Sequence, residues 1–134
     1  MIQFRMRQIK VEQFAILSDI QIENIDKLSL DTAMSVSIAS EIHSISVSVR
    51  FVFKEKNIQF MILEVRCIFE VSDRSWEDLN KTGSLELPDD FLGHMAMHTV
   101  GTARGILFCK TEGTKYSSII LPPLNVMELI KHKN

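Results

Sequence analysis

Between residues 33 and 71 apolar and polar side chains alternate for most of the length, and that period leaves little choice of fold. Met34, Val36, Ile38 and Ile42 lie on even positions, and Ile45, Val47, Val49, Phe51 and Phe53 on odd ones. The opposite parity carries Ser35, Ser37, Glu41 and His43, then Ser44, Ser46, Ser48 and Arg50. A spacing of two predicts a half-buried antiparallel strand over 33–54. The parity flips once, between Ile42 and Ile45. A one-residue slip turns every side chain over, so a β-bulge near Glu41–Ser44 would restore a single apolar face. The alternative is one long strand whose halves pack on different layers. As one strand the segment far exceeds the usual length of about 5–6 residues, which suits a strand that reaches a neighbouring subunit.

Lys54-Glu55-Lys56-Asn57 reads as a polar turn, and a hairpin partner follows. Met61, Leu63, Val65, Cys67, Phe69 and Val71 form one face, and Glu64, Arg66 and Glu70 punctuate the other. Around Phe60-Met61-Ile62-Leu63 both faces are apolar, which calls for cover on two sides and points to oligomerisation. Upstream, residues 2–17 alternate less cleanly. Ile2, Phe4 and Met6 share one parity, Ile9 and Val11 the other, and Phe14 and Ile16 return to the first. The prediction is an irregular strand. Residues 18–32 mix Asp, Asn and Ser with isolated aliphatics and read as a loop or a short edge strand.

From Ser72 onward the period changes. Ser75-Trp76-Glu77-Asp78 fits a one-turn helix with a serine cap. Pro88 and Asp89-Asp90 open a longer helix, which runs to about Glu112 with Gly113 as its C′ residue. Along it Phe91 or Leu92, Met95, Thr99, Ala103, Ile106 and Lys110 track one face, while Gly93, Met97, Gly101 and Gly105 track another. Interior glycine costs roughly 1 kcal/mol relative to alanine, so the second face is expected to meet another helix or sheet closely, as an oligomer interface. Ile119-Ile120-Leu121 is extended, and Pro122-Pro123 leads to a short helix. Asn125 is its expected N-cap with Glu128 three residues on, Leu124 and Leu129 its staple, and Lys131, His132 and Lys133 its dipole complement.

Little in the chain suggests catalysis. His94 and His98 are spaced i, i+4, the separation at which two imidazoles share a zinc ion, but Met95 replaces the glutamate of a metalloprotease helix. They read as solvent-facing, and no metal or cofactor is expected. Cys67 falls on an apolar strand face and Cys109 near a helix end, and both read as buried hydrophobes. No phosphate-cradling glycine spacing and no nucleophile elbow is present, so the chain is not expected to be an enzyme. Arg104 is expected to pair with a carboxylate or a helix terminus. With 134 residues the chain is expected to form a single domain, 1–134, and a net charge of −2 recruits neither nucleic acid nor an anionic membrane. No run approaches the ~18 apolar residues of a membrane span, and there is no signal-peptide pattern. Two cysteines are too few for a disulfide framework, so the cytoplasm is the expected location. Eight Phe and seven Met beside one Trp and one Tyr suit either a core with gaps to fill or a surface that accepts varied apolar partners.

Two stretches resemble the SecB-like chaperone family, which includes the protein-export chaperone SecB. Phe60-Met61-Ile62-Leu63-Glu64-Val65, with Ile68-Phe69, is similar to the family's third strand. Leu121-Pro122-Pro123-Leu124-Asn125-Val126, with Leu129, is similar to its proline-led ending. The resemblance implies an α+β subunit, with a four-stranded antiparallel sheet and one long and one short C-terminal helix packed on one side. It implies pairing of subunits through strands and stacking of dimers through the long helices into a homotetramer. It also implies ATP-independent holding of unfolded or pre-secretory polypeptide clients in apolar grooves, handed to the ATPase SecA during export. Some relatives instead guard an antitoxin, so an adaptor dedicated to one partner is the alternative. Phe51, Phe53, Phe60 and Met61 are the candidate client-binding residues, and each also reads as ordinary core. Glu64 matches the acidic patch that SecB offers to SecA, with Glu12 slightly off register on the first strand. The start of the long helix, Leu87-Pro88-Asp89-Asp90-Phe91-Leu92, departs from the family pattern, and Phe108–Ser118 is longer.

Overall fold

The structure is a computed structural model that describes residues 1–81 and 83–131. Four strands, β1 (Phe4–Ile16), β2 (Ser29–Ala39), β3 (Ser44–Glu55) and β4 (Ile58–Val71), form one antiparallel sheet in the order β1-β4-β3-β2. Helices α1 (Asp73–Leu79), α2 (Asp89–Thr111) and α3 (Val126–Lys131) follow in chain order. Helix α2 packs across β3 and β4, and α3 packs on α2 and reaches β2. The expected α+β arrangement is present.

The parity flip between Ile42 and Ile45 is a hairpin, not a bulge in a long strand. A single 3-10 turn over Ser40–Ile42 leads to His43 in the left-handed region, φ 50° and ψ 47°, and the chain reverses. Even residues of β2 then face odd residues of β3, as in Met34 opposite Val49, Val36 opposite Val47 and Ile38 opposite Ile45. One apolar face results without any slip. The hairpin tip is docked by His43, whose carbonyl accepts from the Val71 N–H at 2.9 Å. Its ring stacks on Trp76 at 4.9 Å, and its Nδ1 lies 2.8 Å from the Asp73 carboxylate. Helix α1 starts earlier than its sequence suggests, with Ser72 as the cap that accepts from the Ser75 N–H at 3.2 Å. Ser75 instead accepts from the Gln3 N–H at 2.8 Å, tying the chain start to α1.

The parity changes of β1 are bulges. Its register against β4 shifts between Met6 and Gln8 and again between Val11 and Gln13, so Arg7 and Glu12 are the extra residues. Phe4, Met6, Ile9, Val11, Phe14 and Ile16 thereby oppose the buried set Val71, Phe69, Cys67, Val65, Leu63 and Met61. A third shift, after Phe53, makes Phe60 the extra residue of β4. Phe60 therefore turns to the helix side, where its ring lies 5.1 Å from Tyr116 and 6.4 Å from Phe53. This removes the need for an outside partner around Phe60–Leu63. On the outer face Ile62 sits opposite Val52, and each is only 6% exposed in the single chain.

Helix α2 buries Phe91, Leu92, Met95, Ala96, Thr99, Val100, Ala103 and Leu107. Its last turns rotate from the expected face, since Leu107 and Thr111 are buried while Ile106 is half-buried and Lys110 exposed. Thr99 and Thr111 are fully buried at no polar cost, because their hydroxyls donate to the Met95 and Leu107 carbonyls, each at 2.8 Å. Gly113, at φ 79°, ends the helix as expected. Asn125 caps α3, its Oδ1 accepting from Met127 at 3.1 Å and Glu128 at 3.4 Å. Glu128 itself pairs with Lys131 at 3.8 Å. His132 and Lys133, expected to complete the dipole complement, lie outside the described residues.

Candidate peptide-binding groove

The connection from β1 to β2, residues 17–28, faces the extended crossing that links α2 to α3. Between them lies an open groove of about 350 Å³. Its lining is Ile25, Asp26, Leu28, Ser29, Leu30, Phe53, Ser118, Ile119, Ile120 and Pro122. Leu30 and Phe53 come from β2 and β3, which pair Leu30 directly with Phe53, so the floor is rigid sheet. The walls are loop segments that expose Ile25 (38%) and Ile120 (66%), while Ile119 is buried and Leu28 half-buried. A volume near the low end of the usual ~300–1,000 Å³ for ligand sites admits a few side chains of an extended chain, not a folded surface.

The crossing is held by Arg104, which half-emerges from α2. Its Nε donates to the Leu121 carbonyl at 2.8 Å and its Nη2 to the Pro122 carbonyl at 3.1 Å. The expected partner was a carboxylate or a helix terminus. Two carbonyls of an extended segment take that place because Pro122 and Pro123 cannot donate and the segment joins no sheet.

Of the aromatic and methionine residues singled out by sequence, Phe53 (3% exposed) reaches the groove floor, while Phe51, Phe60 and Met61 are fully buried core. Ile25, Leu28, Leu30, Ile119 and Ile120 line the groove without having been singled out. Their only signal was isolated aliphatics in polar company over 18–32 and the apolar run before the two prolines.

The outer sheet face carries cross-strand ion pairs. Glu64 lies 3.8 Å from Arg50, Glu12 lies 2.8 Å from Arg66, and Glu70 pairs with Arg5 at 3.0 Å. Glu64, the expected partner-binding acid, and Glu12 are thus each paired with an arginine. The glycine face of α2 divides. A Cβ on Gly93 would lie 3.5 Å from Met127 Sδ and 3.7 Å from Ile130 Cδ1, so this close approach is to α3 of the same chain. Gly101 and Gly105 have nothing within 4 Å, and beside them Met97 and Phe108 are 59% and 56% exposed. His94 and His98 are exposed with rings 5.1 Å apart, both against Phe4. Among the described residues no three potential ligands gather to hold a metal. Cys67 is buried, and burial pushes its thiol up despite Thr99 and Thr102 beside it; Cys109 is exposed, not buried as expected. Among the described residues no helix is long and apolar enough to cross a membrane.

Neither a family model nor a curated protein matches the sequence. Solved structures do match in shape. The SecB-like chaperone Rv1957 of Mycobacterium tuberculosis, determined in complex with a ChAD peptide from the Rv1956 HigA1 antitoxin, is 11% identical with a TM-score of 0.53, and the match covers 91% of each chain. A protein of unknown function from Streptococcus agalactiae is 11% identical with a TM-score of 0.47, covering 93% of this chain and 99% of that one. With its four-stranded antiparallel sheet and helices, and a shape match over 91% of each chain, this chain has the fold of the SecB-like chaperones.

Proposed function

We propose that this protein is an ATP-independent, non-enzymatic chaperone that holds extended, unfolded polypeptide segments in the groove between the 17–28 connection and the α2–α3 crossing. The supporting observation is the groove itself. It has an apolar sheet floor at Leu30 and Phe53 and walls that expose Ile25 and Ile120, and it belongs to a fold in which the mycobacterial protein binds a peptide. Client side chains would be held by burial, which contributes about 25 cal/mol per Å² before ordering costs, with no sequence code required. The same comparison favours a second reading, an adaptor dedicated to one partner such as an antitoxin, because the bound peptide there comes from an antitoxin. Hand-over to SecA in export is the less supported branch, since Glu64 and Glu12 are each tied to an arginine.

In this reading the working form is a cytoplasmic homotetramer. The free edge of β1, with Ile9 and Val11 half-exposed on its helix side, pairs two subunits. The face of α2 with Met97, Gly101, Gly105 and Phe108 stacks two dimers. The experiment is suppression of aggregation, without ATP, of several unrelated unfolded clients by wild type and by Ile120→Glu, a change at an exposed groove wall. Protection by wild type and its loss in the variant are expected. Protection of no client sinks general holding, and capture of a single antitoxin-like partner then selects the adaptor.

A further inference from the structure

The two walls of the groove belong to distant parts of the chain and are joined at one end. Tyr116 makes the joint. Its hydroxyl donates to the Ser18 carbonyl at 3.0 Å and accepts from the Ile20 N–H at 3.2 Å, so both capacities are used on one short piece of the opposite wall. The ring is 2% exposed and lies 5.1 Å from Phe60, which in turn lies 6.4 Å from Phe53 on the groove floor. The Tyr116 carbonyl accepts from the Ile119 N–H at 3.0 Å, so the wall residue Ile119 hangs from the same side chain's backbone. Lys115 adds an ion pair to Asp19, open to solvent and therefore screened. Among the described residues the hydrogen bonds and ion pairs of residues 18–22 all go to Tyr116 and Lys115.

We propose that Tyr116 is a positioning residue whose hydroxyl sets the width of the groove and so determines how tightly an unfolded segment is held. The inference rests on the function proposed above and adds a specific residue to it. A wall fixed before the client arrives need not be ordered on binding, and the ordering cost otherwise appears directly in the affinity. Removing the hydroxyl leaves the Ile20 N–H and Ser18 carbonyl to water and loosens the wall there, while the packed ring, the Leu17–Phe60 backbone bond and the exposed Lys115–Asp19 and Lys56–Glu23 ion pairs stay in place.

The test is Tyr116→Phe, which keeps the buried ring. Spin labels on cysteines substituted for Ile25 and Ile120, in a Cys109→Ser background, report the distance across the groove by pulsed electron paramagnetic resonance without any client. A narrow distribution is expected for the parent and a broad one for Tyr116→Phe. Binding of reduced, carboxymethylated α-lactalbumin, a permanently unfolded chain, is followed by fluorescence anisotropy, with an expected weakening of up to about 30-fold for two lost hydrogen bonds. An unchanged distance distribution overturns the proposal whether or not a client binds. So does a broadened distribution with unchanged affinity. Failure of the parent to bind while the distribution broadens refutes the holding function but supports Tyr116 as the determinant of groove width. Amide exchange gives an independent check in the parent protein, since fast exchange at Ile20 would also overturn the proposal.

Discussion

Replacing Gly101 and Gly105 with alanine is expected to move stability and assembly in opposite directions. Within one chain neither position has any atom within 4 Å of a new Cβ. Each alanine therefore gains the full helix propensity difference, about 1 kcal/mol, or about 2 kcal/mol for the pair. In a chain of this size that raises the midpoint of thermal unfolding by roughly 6–10 °C. If two dimers stack through this face, the same methyl groups enter a close helix–helix contact, where overpacking costs about 1–3 kcal/mol per site. Two sites then weaken association by at least about 2 kcal/mol, some 30-fold or more at 1.4 kcal/mol per tenfold. Sedimentation of wild type and variant from 1 to 50 micromolar reads assembly, and thermal melts at the lowest concentration read the chain itself. The expected variant is a dimer that melts higher. A variant that stays tetrameric and melts higher, or a wild type that is monomeric throughout, refutes the reasoning.

Gly93 behaves differently, because its neighbours are Met127, Ile130 and Val126 of α3 at ordinary contact distance. Gly93→Ala should stabilise by up to about 1 kcal/mol, whereas Gly93→Leu must push α3 away and lose about 1–3 kcal/mol, both measurable by urea unfolding. Arg104→Met removes two charge-assisted bonds to the crossing and should cost about 1.5–3 kcal/mol, with Arg104→Lys restoring only part because one ammonium cannot span both carbonyls. The two thiols should separate cleanly in a reagent titration, Cys109 reacting in the native protein and Cys67 only on unfolding. Burial raises the Cys67 pKa above 9.0 in the folded chain, so its contribution to stability is fully present below that pH and is lost as pH rises above it. Cys67→Ala should flatten that decline.

The strands and the long helix were legible because burial writes itself as period. The irregular parity of β1 even marked both bulges, at Arg7 and Glu12, although it read only as irregularity. The one large error came from the flip between Ile42 and Ile45. A bulge and a tight hairpin both invert parity, and the tip sequence Ser-Glu-Ile-His lacks the glycine that usually marks a reversal. His43 adopts the left-handed region anyway, held by its stack on Trp76 and its contact with Asp73, residues about thirty positions away that no local pattern reveals. The groove was hardest to see. Its walls come from the segments with the weakest period, and Phe53, a core residue, also floors the groove because those loops end beside it.

The strand order has a consequence for how the chain is made. β1 and β2 leave the ribosome first and lie at opposite edges of the sheet, so they cannot pair with each other. Phe4 must wait for Val71, and the wall at Ser18 for Tyr116, before either finds its native partner. Contacts so distant in sequence are slow to form, and a waiting strand with open edges is prone to wrong association. During its own synthesis the protein passes through a state like that of the unfolded segments it is proposed to hold. Finished copies already in the cell are therefore among the first candidates to meet it.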